Sequence, residues 1–380
     1  MLTSKLPAVG MTIFSQMSSL SAQHDAINLS QGFPNFDCDP YLKQQVNYYI
    51  NNGFNQYCPM AGLPDLQQAI QTLVREHYEL NINAAEQVTV TSGATEALFV
   101  AIQTIVHAGD EVIIFDPAYD SYEPAVNLAG GKCIHIPLLP PSYGVDWQQV
   151  EQAITSQTKA IIINSPHNPT GTILHEQDII ALKKLVAEHD LYVISDEVYE
   201  HIVFDGQVHH SILRYPELAQ RSFVIASFGK TFHVTGWKVG YCIAPKDLTD
   251  EFRKIHQYVT FCTVTPMQKA IADTLNKLPE HVSGLSDFYQ HKRAVFAEHL
   301  KDSQFKLLPS EGTYFQLLDY SALSDLPDVE FCHWLTKVHK VATIPLSVFY
   351  QSPPKSKVIR VCFAKDDETL KKAAKILCQV

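Results

Sequence analysis

From residue 87 onward, short β-branched and apolar runs alternate with helix-length segments, and most of the runs are apolar throughout. Val88-Thr89-Val90, Glu111 to Phe115, Cys133 to Ile136, Ala160 to Ile163, Tyr192 to Ile194 and Phe223 to Ala226 read as strands. Helices are predicted from Ala97 to Ile105, from Tyr119, and over 176–189. A strand that is apolar on both faces needs cover on both sides. The pattern therefore predicts an α/β fold, with a mostly parallel sheet covered by helices. In open sheets of this kind ligands sit beyond the carboxyl ends of the strands. Ser92, Asn164, Ser195 and Ser227 each follow such a run, which puts them on one edge.

The flanks differ. Residues 1 to about 30 lack strong periodicity and read as an arm against the body. Beyond Pro266 longer helices dominate, with Asp287 to Leu300 and Asp366 to Leu377 as helices and Thr313 to Leu317 and Val358 to Phe363 as strands. The expected division is an N-terminal arm (1–45) that joins the small domain, a large domain (46–280), and a smaller α+β domain (281–380). A chain of 380 residues is long enough for this arrangement.

A formal charge of −11 offers no basic field for phosphate backbones, so nucleic acid is not expected as a partner. No apolar run reaches membrane-span length and the N-terminus lacks a signal pattern, which makes the cytoplasm the expected location. Eight scattered cysteines without a C-x-x-C pair fit free thiols in a reducing compartment. The adjacent His209-His210 reads as a solvated loop rather than a metal site, and no metal is expected.

The segment Ser227-Phe228-Gly229-Lys230 follows the last apolar run. A lysine at that point, beside a Gly that permits a tight turn, is placed as a reactive amine. Burial lowers a lysine pKa, and a free amine can condense with a carbonyl cofactor. An ordinary loop lysine would be the better reading if Lys230 stood alone. It does not. Asn164-Ser165-Pro166-His167-Asn168-Pro169-Thr170-Gly171, Ser195-Asp196-Glu197-Val198-Tyr199 and Ile359-Arg360-Val361 accompany it in chain order. Together these four segments resemble the aspartate aminotransferase-like superfamily of fold-type I pyridoxal phosphate enzymes. Ser30-Gln31-Gly32-Phe33-Pro34-Asn35-Phe36 and Gly236-Trp237-Lys238-Val239-Gly240 narrow the likeness to the methionine, kynurenine and glutamine aminotransferases.

The resemblance implies roles for individual residues. Lys230 would form the Schiff base with pyridoxal 5′-phosphate and move the substrate α-proton. Asp196 would face the pyridine nitrogen and keep the ring an electron sink; by itself it could be a turn or cap residue. Tyr199 and Asn168 would donate to the cofactor phenolate, and Asn168 also suits a turn before Pro169. Tyr119 would stack on the ring, with plain packing as its competitor. Gly93, Ala94 and Thr95 would cradle the phosphate at a helix N-terminus, with Ser227 and Lys238 adding a hydroxyl and a charge. Tyr57 would reach the phosphate of a neighbouring subunit, implying a homodimer with shared sites; an intrachain aromatic contact is the alternative. Arg360 would clamp the substrate α-carboxylate, assisted by Asn168 and the Gly32 N–H, unless it pairs with a buried protein carboxylate.

No arginine precedes Arg75 or lies between Arg253 and Arg293, so the expected side-chain pocket lacks a second arginine for dicarboxylate donors. Phe14 and Phe261, which the resemblance places there, and Phe33 suggest methionine and related aromatic or large apolar L-amino acids as donors, with a 2-oxo acid as acceptor. A cysteine-conjugate or cystathionine β-lyase on the same fold is the rival reading. The effector domain of a transcription regulator is a poorer one, because the catalytic pattern begins almost at residue 1.

Overall fold

Strands buried on both faces form the centre of the molecule, and helices supply their cover. The computed structural model describes residues 3–380; the first two residues of the predicted arm lie outside it. Chain order begins with a helix, Ile13–Gln23, capped by the Thr12 hydroxyl on the Ser15 N–H, and a two-residue strand β1 (Ile27–Asn28). The arm is thus partly helical, contrary to the absence of periodicity in its sequence. Met17 and Ser21 are the buried residues of that helix, so a Ser- and Gln-rich helix needs little apolar pattern to dock.

The main sheet follows with β2 (Val88–Thr91), β3 (Glu111–Asp116), β4 (Lys132–Pro137), β5 (Thr158–Asn164), β6 (Tyr192–Asp196), β7 (Ser222–Ser227) and β8 (Gly240–Ile243). Their spatial order is β2-β8-β7-β6-β5-β3-β4. All neighbours from β7 to β4 pair in parallel, whereas β8 runs antiparallel to both β2 and β7. The sheet is therefore mostly parallel, as expected, with one reversed strand that the sequence reading omitted. Ile161, Val193, Ile194, Phe223 and Ile225 are fully buried in the sheet core. Each such side chain contributes roughly 2 kcal/mol of transfer free energy, an upper value because denatured chains are partly compact.

The helix predicted over 176–189 is observed as Glu176–His189. The one predicted from Tyr119 starts at Tyr122, leaving Tyr119 in the loop after β3. The helix expected from Ala97 to Ile105 starts at Ala94, directly after Gly93.

A second, four-stranded sheet comprises β9 (Lys306–Leu307), β10 (Phe315–Asp319), β12 (Ile344–Pro345) and β13 (Val358–Cys362), with β11 (Val341–Ala342) between them in sequence. Ile27 pairs in parallel with Val341, which ties the arm to this C-terminal part. The strand expected from Thr313 begins at Phe315, because Thr313 takes a left-handed φ of 68°. Strand β10 faces β13 with Leu317 opposite Arg360. Among the described residues no helix is long and apolar enough to cross a membrane.

Candidate active site

The carboxyl ends of the parallel strands open onto a cavity enclosing about 640 Å³, part of it open to solvent. Gly93, Ala94, Thr95, Tyr119, Asn164, Asn168, Asp196, Tyr199, Ser227, Lys230 and Lys238 all line it. These come from the ends of β2, β5, β6 and β7, from the loop after β3, and, for Lys238, from the segment that leads into β8. Strand β8 holds β2 beside β7 by pairing Thr91 and Ser227 with the same Gly240. A Cβ on Gly240 would lie 2.7 Å from the Ala226 carbonyl and 3.0 Å from the Ala94 nitrogen, so the close approach requires glycine.

Lys230 sits in a short helical turn, Phe228–Thr231, capped by the Ser227 hydroxyl on the Gly229 N–H. Its Nζ donates to the Tyr314 hydroxyl at 2.9 Å and faces the Gly32 carbonyl at 3.4 Å. It lies beside the paired rings of Tyr199 and Tyr314, 5.5 and 5.4 Å from their centroids. Burial in this aromatic slot lowers its pKa to about 8. A neutral amine is therefore accessible near physiological pH.

Asp196 ends β6 and is buried. Burial raises its pKa to about 6, while hydrogen bonds from Tyr122 and the Val198 N–H pull the other way. Asn164 braces two segments at once: its Nδ2 donates to the Asp196 carbonyl at 2.8 Å, and its Oδ1 accepts from the Asn168 N–H at 2.8 Å. Tyr199 is buried, which raises its pKa well above the usual phenol value. Its ring meets Tyr314 edge-on at 5.1 Å.

At the other end of the cavity Gly93 has a φ of 78° and precedes the helix Ala94–Ile105. The amides of this helix start, the Lys238 side chain and the Ser227 hydroxyl meet at one corner of the cavity, a donor set chemically suited to an anion. A Cβ on Gly93 would lie 3.3 Å from Lys238 Nζ.

Arg360 is 1% exposed, and burial lowers its pKa. Its Nη1 donates to Asn168 Oδ1 and its Nη2 to the Ser30 carbonyl, both at 2.9 Å, while Nε has no partner. It stacks on Phe315 at 4.0 Å and faces Phe14 at 5.3 Å. No protein carboxylate forms an ion pair with it among the described residues. Gly32 turns its carbonyl toward Lys230 and Tyr314.

Tyr57 and Phe261 are not part of this cavity. They pack edge-on against each other at 5.4 Å on the surface, where Tyr57 is 85% exposed and Phe261 40%. Phe33 is also exposed and lies under Lys365, 4.8 Å from its Nζ.

Sequence reasoning missed Tyr122, Tyr314 and the bracing role of Asn164. The hydroxyl partners of Tyr122 and Tyr314 lie 74 and 84 positions away, beyond any local pattern. The reading of His209-His210 as a solvated loop needs correction for His209. It is buried, and its Nε2 meets Glu197 Oε2 at 2.8 Å, because Glu197 follows β6 into the interior and requires partners.

A buried lysine, an acceptor carboxylate, an anion corner and an unpaired buried guanidinium thus share one region. The family model "Aminotransferase class I and II" matches residues 24–377. The chain is 51% identical over 377 residues to methionine aminotransferase of Escherichia coli, covering 99% of this chain and 98% of that one. It is 34% identical to kynurenine–oxoglutarate transaminase 3 of Homo sapiens, covering 98% and 89% of the two chains. A solved Escherichia coli structure described as having a methionine aminotransferase function superposes with a TM-score of 0.98, at 51% identity and full coverage of both chains.

Proposed function

The chain belongs to the class I and II aminotransferase family, and from that premise we propose that it transfers the amino group of methionine and related aromatic or large apolar L-amino acids to a 2-oxo acid, using pyridoxal 5′-phosphate. The single observation that carries the cofactor assignment is Lys230, a buried amine in a cavity with an anion corner at one end and Asp196 within its wall. The residues present fit the group. Gly93, Ala94, Thr95, Ser227 and Lys238 would hold a phosphate, Asp196 a ring nitrogen, Tyr199 and Asn168 a phenolate oxygen, and Tyr119 a ring face. When bound, the cofactor would supply an aldehyde for the amino group and a ring that accepts electrons from the substrate α-carbon.

The chain's own residues would do the rest. Arg360 and Asn168 would fix the α-carboxylate, so that the α-hydrogen points at Lys230. Lys230 Nζ would take that proton as a neutral amine and return it as an ammonium. Phe14 beside Arg360, and the apolar face of Phe349 that it packs on, support a pocket for a thioether or an aromatic ring. The 51% identity to a methionine aminotransferase supports methionine as donor.

The exposed Tyr57 and Phe261, together with Tyr258, support a homodimer in which these residues would complete the site of the other subunit. The same reading divides the chain into an arm (1–45), a large domain (46–280) and a small domain (281–380). Eight unpaired cysteines support a cytoplasmic, reducing location.

The test is an absorbance spectrum of the purified protein. Methionine alone should convert a visible band to a shorter-wavelength form, and a 2-oxo acid should restore it. A band that never converts while thiol or pyruvate accumulates from a cysteine conjugate would identify a β-lyase instead.

A further inference from the structure

We propose that Tyr314 is a positioning residue that tethers the Lys230 amine by one N–H and so holds its nitrogen at the cavity. The inference rests on the cofactor assignment above and extends it to a residue outside the recognised motifs.

The hydrogen-bond chain admits one direction of donation. The Gly32 carbonyl is acceptor-only, and the Tyr314 hydroxyl contacts it. The single phenolic hydrogen is therefore spent on Gly32. Toward Lys230 the phenol oxygen presents a lone pair, so Lys230 Nζ must donate across the 2.9 Å contact. The same Gly32 oxygen offers its second lone pair to Nζ at 3.4 Å. The two oxygens are themselves hydrogen-bonded and lie in nearly one direction from Nζ, so they share one N–H of the amine and hold it away from the cavity. The second N–H and the lone pair are left for the cavity that Lys230 lines together with Asp196, Asn168 and Ser227.

The phenol is well held in place. Tyr314 is fully buried, edge-on to Tyr199 and 5.5 Å from the ring of Tyr289, with its carbonyl accepting from the Phe363 N–H at 3.0 Å. Gly32 is held as well, since a Cβ there would lie 2.8 Å from the Phe315 ring. Burial keeps Tyr314 un-ionised, so it acts as a fixed acceptor and not as a second base.

The experiment uses the full-length chain carrying Tyr314→Phe, stripped of cofactor and mixed with pyridoxal 5′-phosphate. Visible absorbance then gives the capture rate between pH 7 and 9. Losing one neutral hydrogen bond that orients the amine should slow capture about tenfold across this range. In the reloaded variant the isotope effect with α-deuterated methionine should rise, while KM changes less than threefold. Capture within twofold of the parent, with an unchanged isotope effect, would overturn the proposal. If Tyr314→Phe does not fold, fluorotyrosine at the same position keeps the shape and weakens the acceptor. Its capture rate should fall in the same direction, and an unchanged rate is again a refutation. Because capture involves no amino acid, failure here is distinct from an error in the donor assignment.

Discussion

Tyr122 donates its hydroxyl hydrogen to Asp196 Oδ2 at 2.6 Å, across 74 positions of sequence and in a fully buried setting. The bond opposes the burial that raises the Asp196 pKa to about 6. It helps to keep a carboxylate charged where solvent cannot.

Removing that donor by Tyr122→Phe should push the Asp196 pKa above about 6, because burial then acts with less opposition. The folded value already exceeds the ordinary 3.8, so Asp196 contributes stability to the cofactor-free chain below 3.8 and loses it as pH rises through about 6. A cofactor held through an ionised Asp196 should consequently dissociate more readily from the variant at pH 6 than at pH 8. Retention after dialysis at the two pH values measures this. A retention profile that matches the parent would count against the role of Tyr122.

Lys230 behaves with the opposite sign. Its folded pKa of about 8 lies below the ordinary 10.5, so the folded chain binds fewer protons in that window. Stability of the cofactor-free protein should therefore climb as pH rises from about 8 to 10.5. At pH 7 the buried ammonium costs on the order of 3 kcal/mol. Lys230→Met should melt at a higher temperature than the parent at pH 7 when both lack cofactor, while losing the visible band and turnover. Equal melting temperatures would mean that the amine is better solvated than its burial implies.

Arg360→Lys keeps a charge but gives up the planar fork that contacts Asn168 and Ser30. The expected result is a rise in KM for methionine of about 10- to 100-fold, the worth of a charge-assisted bidentate contact. kcat should fall less. Steady-state kinetics separate the two parameters, and a loss confined to kcat would argue that Arg360 does not bind the carboxylate.

Gly93→Ala places a side chain at a φ of 78°, where its Cβ crowds Lys238 Nζ. The strain of roughly 1–2 kcal/mol should weaken cofactor binding by about tenfold. Fluorescence titration of the cofactor-free variant with pyridoxal 5′-phosphate would read this directly. Unchanged affinity would remove the helix start from the phosphate site.

The strands of the main sheet were legible because burial on both faces leaves apolar residues at nearly every position, as in Ile161-Ile162-Ile163. The edge onto which the cavity opens followed from chain direction alone. Strand β8 escaped because Gly240-Tyr241-Cys242-Ile243 is short and begins with glycine, and antiparallel pairing has no local signature. The helix Ile13–Gln23 escaped because Met17 is its one buried apolar residue. Lys230, Asp196 and Asn168 could be named from their motifs, whereas their partners Tyr314, Tyr122 and Asn164 are joined to them by side-chain geometry. Such geometry exists only once the chain is folded. His209 was misread for the same reason, since its partner Glu197 is buried by β6 and not by its own neighbours.

The reversed strand between β2 and β7 also sets an order of events during synthesis. Thr91 and Ser227 are not neighbours in the sheet; Gly240 lies between them and stands opposite each in register. A nascent chain that has emerged only as far as Lys230 therefore possesses the lysine and the helix start, but not the strand that sets their separation. Arg360 arrives another 130 residues later. Cofactor retention on this account waits for β8, and a chain truncated before residue 240 should emerge unable to hold pyridoxal phosphate.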